Sequence, residues 1–191
     1  MQNFLFLIFG LFFISISCQQ DGHTVNYYAT GEKFEEGQML NGKKEGLWIR
    51  WHEDGSKQGK YNYKAGVLDG ASIQWYPNGQ EQVVATYSRG RFVDTVKRFF
   101  DNGRLNYLEY YARPGKPEGE FKLWHENGLI GQKGFYRNGN MDGEWVSYYK
   151  NGQIKSKSFY KNGKRLSELR FDEKGNILNK ENFENNNERI E

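Results

Sequence analysis

The sequence predicts an all-β protein: an elongated, single-layer antiparallel β-meander of tandem hairpins with a 24-residue period, preceded by an N-terminal signal helix. Three observations carry this expectation. Glycines recur at a fixed beat, an aromatic position recurs at half that beat, and no amphipathic helical run of useful length follows the first eighteen residues.

The N-terminal segment reads as an address. Phe4 to Ile14 is apolar and uncharged, too short for a membrane span of ~20 residues but matched to the apolar region of a secretory signal. The chain's one cysteine, Cys18, follows in Ser15-Ile16-Ser17-Cys18. This string resembles a bacterial lipoprotein signal, which implies that Cys18 becomes the acylated N-terminus. The organisation expected is a signal peptide over 1–17, a polar tether over 18–26, the repeat array over 27–187 and a polar tail over 188–191. The expected setting is the bacterial cell envelope, on its periplasmic or surface side.

The array rests on two ladders. Gly31, Gly55, Gly79, Gly103, Gly128, Gly152 and Gly175 step by 23 to 25 residues, and Gly42, Gly66, Gly90, Gly115, Gly139 and Gly163 step by 24 or 25. A third series, Gly46, Gly70, Gly119 and Gly143, has Asp94 in the place of its missing member. Many of these glycines follow Asn or Asp, as in Asp54-Gly55, Asn78-Gly79, Asn138-Gly139 and Asn162-Gly163. Both residues tolerate the positive φ of a type I′ hairpin turn.

The ring ladder is Tyr27, Met39, Trp51, Tyr63, Trp75, Tyr87, Phe99, Tyr111, Trp124, Tyr136, Tyr148, Tyr160, Phe171 and Phe183. Its steps are 12 apart from one 13 and one 11, so each 24-residue repeat is two strands and two turns. About fourteen strands at ~4.8 Å would make a sheet ~65 Å across, which should twist and curl. With turns midway between rings, the rings would form one continuous structural stripe. Aromatic neighbours such as Trp75-Tyr76, Phe135-Tyr136 and Phe159-Tyr160 point to opposite faces of a strand, so both faces should carry rings.

Composition narrows function. Hydrophobic residues are 37%, aromatics 17%, and glycines 23 of 191, so turns and rings carry the fold rather than an aliphatic core. A net charge of +3 does not support nucleic-acid binding. One cysteine excludes an internal disulfide framework and a cysteine zinc site.

The units Gly46–Gly55 (GLWIRWHEDG), Gly119–Gly128 (GEFKLWHENG) and Gly143–Gly152 (GEWVSYYKNG), alternating with FYRNG and FYKNG, resemble the MORN-repeat variant of bacterial proteins often labelled YwqK-type antitoxins. The resemblance covers about Gly31 to Phe183. It implies a hairpin array used for protein or lipid contact, with no catalytic residue to carry over. Copy three departs from the pattern at Asp94 and at Arg113-Pro114-Gly115-Lys116-Pro117, where a kink is expected.

Candidate chemistry mostly dissolves. His52 and His125 occupy equivalent places, but three repeats of two strands put them ~29 Å apart, which no single zinc can bridge. Glu53, Asp54, Glu126 and Asp142 are acids that any repeat places beside its turns. No nucleophile motif or phosphate loop occurs. No enzyme activity, metal or cofactor is expected. Arg89, Arg91, Lys97, Arg98 and Arg104 lie in a stretch of local net charge +3, a candidate patch for an anionic surface. The expected role is a protein-interaction scaffold with an unidentified protein partner, held on a membrane by its N-terminal lipid and independent of nucleic acid. A glycan-binding module with exposed rings and an antitoxin or immunity partner are the alternatives.

Overall fold

A computed structural model describes residues 21–182. The signal segment, Cys18 and Phe183 lie outside the described residues. Within them all regular structure is strand: β1 (Gly22–Tyr27), β2 (Lys33–Leu40), β3 (Lys43–Trp51), β4 (Lys57–Lys64), β5 (Val67–Trp75), β6 (Glu81–Ser88), β7 (Arg91–Phe99) and β8 (Leu105–Arg113). Then follow β9 (Lys116–Pro117), β10 (Gly119–Trp124), β11 (Ile130–Arg137), β12 (Asn140–Tyr148), β13 (Ile154–Lys161), β14 (Lys164–Phe171) and β15 (Ile177–Asn182). They form one open antiparallel sheet in chain order, with the two-residue β9 paired to β8 off the main path. Residues 22–26, expected as tether, are instead strand, because their backbone pairs from Gly22↔Met39 to Asn26↔Glu35.

Two kinds of turn alternate. After β3, β5, β7, β10, β12 and β14 the chain makes a turn in which only the glycine has positive φ. In the first, the Gly55 amide donates to His52 O (3.0 Å) and the Asp54 carboxylate accepts from the Ser56 amide (2.8 Å). After β2, β4, β6, β11 and β13 both central residues have positive φ, the type I′ signature: Asn41-Gly42, Ala65-Gly66, Arg89-Gly90, Asn138-Gly139 and Asn162-Gly163. The type I′ expectation therefore holds at Asn138-Gly139 and Asn162-Gly163 and fails at Asp54-Gly55 and Asn78-Gly79, where the Asx side chain caps the turn instead.

The irregular third copy keeps its turn bonds but breaks its strand: where β5 and β12 run unbroken, β9 and β10 divide at Glu118, and β8 pairs with each at two positions. Asp94 takes φ 63, close to the φ 66 of Gly46 and the φ 74 of Gly143. The Gly115 amide still donates to Phe92 O at 2.8 Å, as Gly66 does to Lys44 O and Gly139 to Pro117 O. These bonds join the turns of consecutive repeats along one edge of the sheet.

The ring ladder is two rows, not one stripe. Every turn comes two or three residues after a ring, rather than midway, so successive rings fall at opposite ends of antiparallel strands. Register confirms the split: Tyr63 faces Gly46 at one end of the β3–β4 pair, while Trp51 faces Lys57 at the other.

The core runs along the middle of one face. Register pairs Gly37 with Trp48, Trp48 with Tyr61, Tyr61 with Ser72 and Ser72 with Ala85, then Val96 with Glu109, Phe121 with Gly134 and Trp145 with Ser158. Trp48 is 1% exposed and Val96 0%. Each core tryptophan lies over a glycine on the preceding strand. A Cβ on Gly37 would fall 2.5 Å from Trp48, and one on Gly134 would collide with Trp145. The row of Tyr63, Tyr87, Tyr111, Tyr136 and Tyr160 sits on this same face, two residues along each strand from the core row. Its rings close the core: Trp48–Tyr63 centroids lie 6.4 Å apart, Tyr136–Trp145 5.0 Å and Trp145–Tyr160 6.3 Å.

Candidate interaction surface

Alternation along each strand puts a different residue set on the opposite face. Its middle row is continuous in register: Ile49, Lys60, Ile73, Val84, Lys97, Leu108, Lys122, Lys133, Val146, Lys157, Leu169 and Lys180. Six lysines thus stand in single file from β4 to β15. Along one side of the file lie Leu47, Tyr110, Phe135 and Phe159, exposed by 50%, 45%, 42% and 47%. Along the other lies the second ring row, Trp51, Trp75, Phe99, Trp124, Tyr148 and Phe171, each half-buried. Lys133 reaches over Tyr148, its Nζ 6.0 Å from the ring centroid, so file and rings are in contact.

The residues beside the second ring row fasten repeat to repeat. Tyr28 donates its hydroxyl to Trp51 O (2.8 Å), Tyr76 to Phe99 O (3.0 Å) and Tyr149 to Phe171 O (2.8 Å). His52 and His125 occupy the same place. Their Nε2 atoms meet Trp75 O at 3.1 Å and Tyr148 O at 3.0 Å, which requires the Nε2–H tautomer. Phe100, at this position, has no donor, and Asn106 supplies one to Trp124 O (3.2 Å) instead. The histidines are structural fasteners, each in its own repeat.

The acids singled out in the sequence also hold turns. Asp142 accepts from the Asn162 amide (3.5 Å) and pairs with Arg137 (3.4 Å) and Lys161 (3.6 Å). Glu45, Asp69 and Glu118 accept the amides of Ala65, Arg89 and Asn138 in the same way. Glu53 and Glu126 are exposed turn residues.

The basic stretch is not brought together. Arg89 and Arg91 stand at the type I′ edge, Lys97 is in the lysine file, and Arg98 is on the core face over Tyr107 (5.8 Å). Arg104 is at the opposite edge, donating to Glu126 O (3.1 Å). β7 runs between the two edges, so these five charges share a strand and its flanking turns rather than one surface.

Charge is also buried on the core face. Glu35 receives Lys44 (2.6 Å), Arg50 (2.9 Å) and Asn26 (3.1 Å). Burial alone would raise its pKa, but these hydrogen bonds outweigh it and hold the carboxyl below its ordinary value. Glu109 accepts the hydroxyls of both Tyr107 and Tyr111. Burial, reinforced by that carboxylate, pushes the Tyr111 hydroxyl up to about 12 and Tyr107 further in the same direction. Both carboxylates are satisfied core polar groups, whereas the buried Arg50 Nε in the first cluster finds no hydrogen-bond partner.

Sequence reasoning missed the lysine file and the core row. The core row was findable: Trp48, Tyr61, Ser72, Ala85 and Val96 step alternately by 13 and 11, the same beat offset from the ring ladder.

The family model described as the MORN repeat variant matches residues 44–65 and 141–162. Comparison with curated proteins finds no match. The two matched segments superimpose motif on motif: Trp48 and Trp145 are the core tryptophans seated over glycine, and Glu45 and Asp142 the acids that hold the next turn. The chain therefore carries the MORN repeat variant twice, within a longer series of hairpins built on the same beat.

Proposed function

We propose that the chain is a non-enzymatic, lipid-anchored bacterial envelope protein that presents the lysine face of its sheet to a protein partner. The observation that carries this reading is the file of lysines beside exposed Tyr110, Phe135 and Phe159. Rings and aliphatic groups bordered by charge are the composition of a binding surface, and MORN repeats are generally associated with protein or membrane interaction. A one-layer sheet fastened turn to turn offers such a face with little reorganisation on binding. Cys18, unique in the chain and directly after the apolar run, supports the anchor.

Two measurements test the reading. Metabolic lipid labelling should mark the wild type and not Cys18→Ala; equal labelling removes the anchor. Crosslinking and pull-down from envelope fractions should recover a protein that Lys133→Gln/Lys157→Gln releases. Retention on polysaccharide without any protein would replace the scaffold with a glycan binder.

A further inference from the structure

We infer that the partner docks through an extended acidic segment in the polyproline II conformation, laid across β11, β13 and β15 on the lysine face. This rests on reading that face as a protein-binding surface and names the chemistry of what it binds.

The C-terminal part of the face repeats one pair of residues. Lys133 and Phe135 stand two apart on β11, and Lys157 and Phe159 two apart on β13. Lys180 continues the file on β15. Alternate strands set these lysines ~9.6 Å apart, and the two phenylalanines recur at the same interval. All five side chains are exposed, and none of the three lysines has a carboxylate partner among the described residues. Lys122, by contrast, is held by Glu120 at 2.8 Å. Between the strands, Leu169 and Phe159 line a shallow depression with Lys157, Lys180 and Glu144.

The interval selects the ligand's backbone. Polyproline II has three residues per turn and a rise of ~3.1 Å, so every third side chain returns to one side after ~9.3 Å. That matches the lysine interval to within ~1 Å over the three positions. A β-strand returns after ~6.8 Å and falls out of step at the second lysine, and an α-helix, returning every ~5.4 Å, misses the second by ~1.2 Å and the third by ~2.4 Å. Acids at every third residue would meet Lys133, Lys157 and Lys180, with the intervening residues turned toward Phe135 and Phe159. Rings lining a groove are the usual seat for such a preformed, low-entropy segment. Charge repulsion along an acidic segment keeps it extended before it binds. Glu120 and Glu144 stand across from Phe135 and Phe159 in register, so the segment's acids belong on the lysine row and its uncharged residues beside the rings, a separation that a flat anionic membrane does not make.

The test is fluorescence anisotropy with the full-length protein and a labelled peptide of about twelve residues, Glu at every third position and Pro elsewhere. Binding should weaken with salt and fall about tenfold or more in Lys133→Gln/Lys157→Gln and in Phe159→Ser, with Lys64→Gln unchanged. A peptide of the same composition with its Glu residues contiguous should also bind about tenfold more weakly. No binding, equal binding of the two peptides, or binding to hyaluronate or phosphatidylglycerol vesicles in place of the peptide overturns the inference. If the envelope pull-down still recovers a lysine-dependent protein, only the segment's chemistry has failed. If it recovers none, the scaffold reading fails with it.

Discussion

Gly37→Ala isolates the packing that sets the core. Gly37 does not have the left-handed backbone that favours glycine, so alanine is conformationally admissible there. Through the unfolded state alone, the substitution would stabilise the protein by about 0.4–1 kcal/mol. The added Cβ, however, would sit 2.5 Å from Cγ and Cδ2 of Trp48, where ordinary contact begins near 3.4 Å. The ring must retreat by about 1 Å, and it has little room: Trp48 is 1% exposed and its indole N–H donates to Gln38 O at 3.1 Å. Overpacking of this kind costs about 1–3 kcal/mol, so the net expectation is a loss of about 1–2 kcal/mol. Urea unfolding of the full-length protein should show it as a lower midpoint, and heating as a Tm lower by about 2–8 °C. In a Trp48→Leu background the same substitution should become neutral or stabilising, a coupling of at least about 1 kcal/mol. A Gly37→Ala protein at least as stable as wild type would refute the seating of tryptophan over glycine as the core device.

Other consequences follow from the same geometry. Ala65 and Arg89 hold φ of 50 and 49 at turn positions that Asn fills in Asn41, Asn138 and Asn162. Ala65→Asn and Arg89→Asn should each raise stability by about 1 kcal/mol, read as a higher urea midpoint. His52→Leu removes the bond to Trp75 O and should cost about 1 kcal/mol without altering any metal response, checked by thermal melting with and without zinc. Glu35 has a depressed folded pKa, so its contribution is present above the unfolded value of ~4.3 and is lost as pH falls through the folded one. The acid-side loss of stability should accordingly be smaller in Glu35→Gln than in wild type. Tyr111 has a raised pKa of about 12, so its contribution is complete below ~10 and disappears as pH rises through about 12. Absorbance titration at high pH should reveal tyrosines that ionise only in that late window.

The fold class and the meander were legible because turn glycines and rings are local signals that each repeat restates. The placement of the rings was not. A step of twelve counts strands but is silent about where the turn falls between rings, and two residues of offset send alternate rings to opposite ends and faces. The core row was hidden for another reason: it mixes Trp48, Ser72, Val96 and Glu109, which share a position but no chemistry. The lysine file is least legible of all, since Lys97, Lys122 and Lys133 line up only through cross-strand register. The sequence grouped charges by proximity along the chain, from Arg89 to Arg104, whereas a sheet groups them across it.

The open sheet with its lysines in file is tested most directly by a distance. Spin labels at Lys97→Cys and Lys180→Cys, in a Cys18→Ser protein, stand on one face with seven strand steps between them along the sheet path. Pulsed dipolar spectroscopy should give a distribution centred near ~34 Å, the sum of those steps at ~4.8 Å each. A distribution centred below ~20 Å would mean a closed or differently ordered sheet. The single file, and the surface built on it, would then be contradicted.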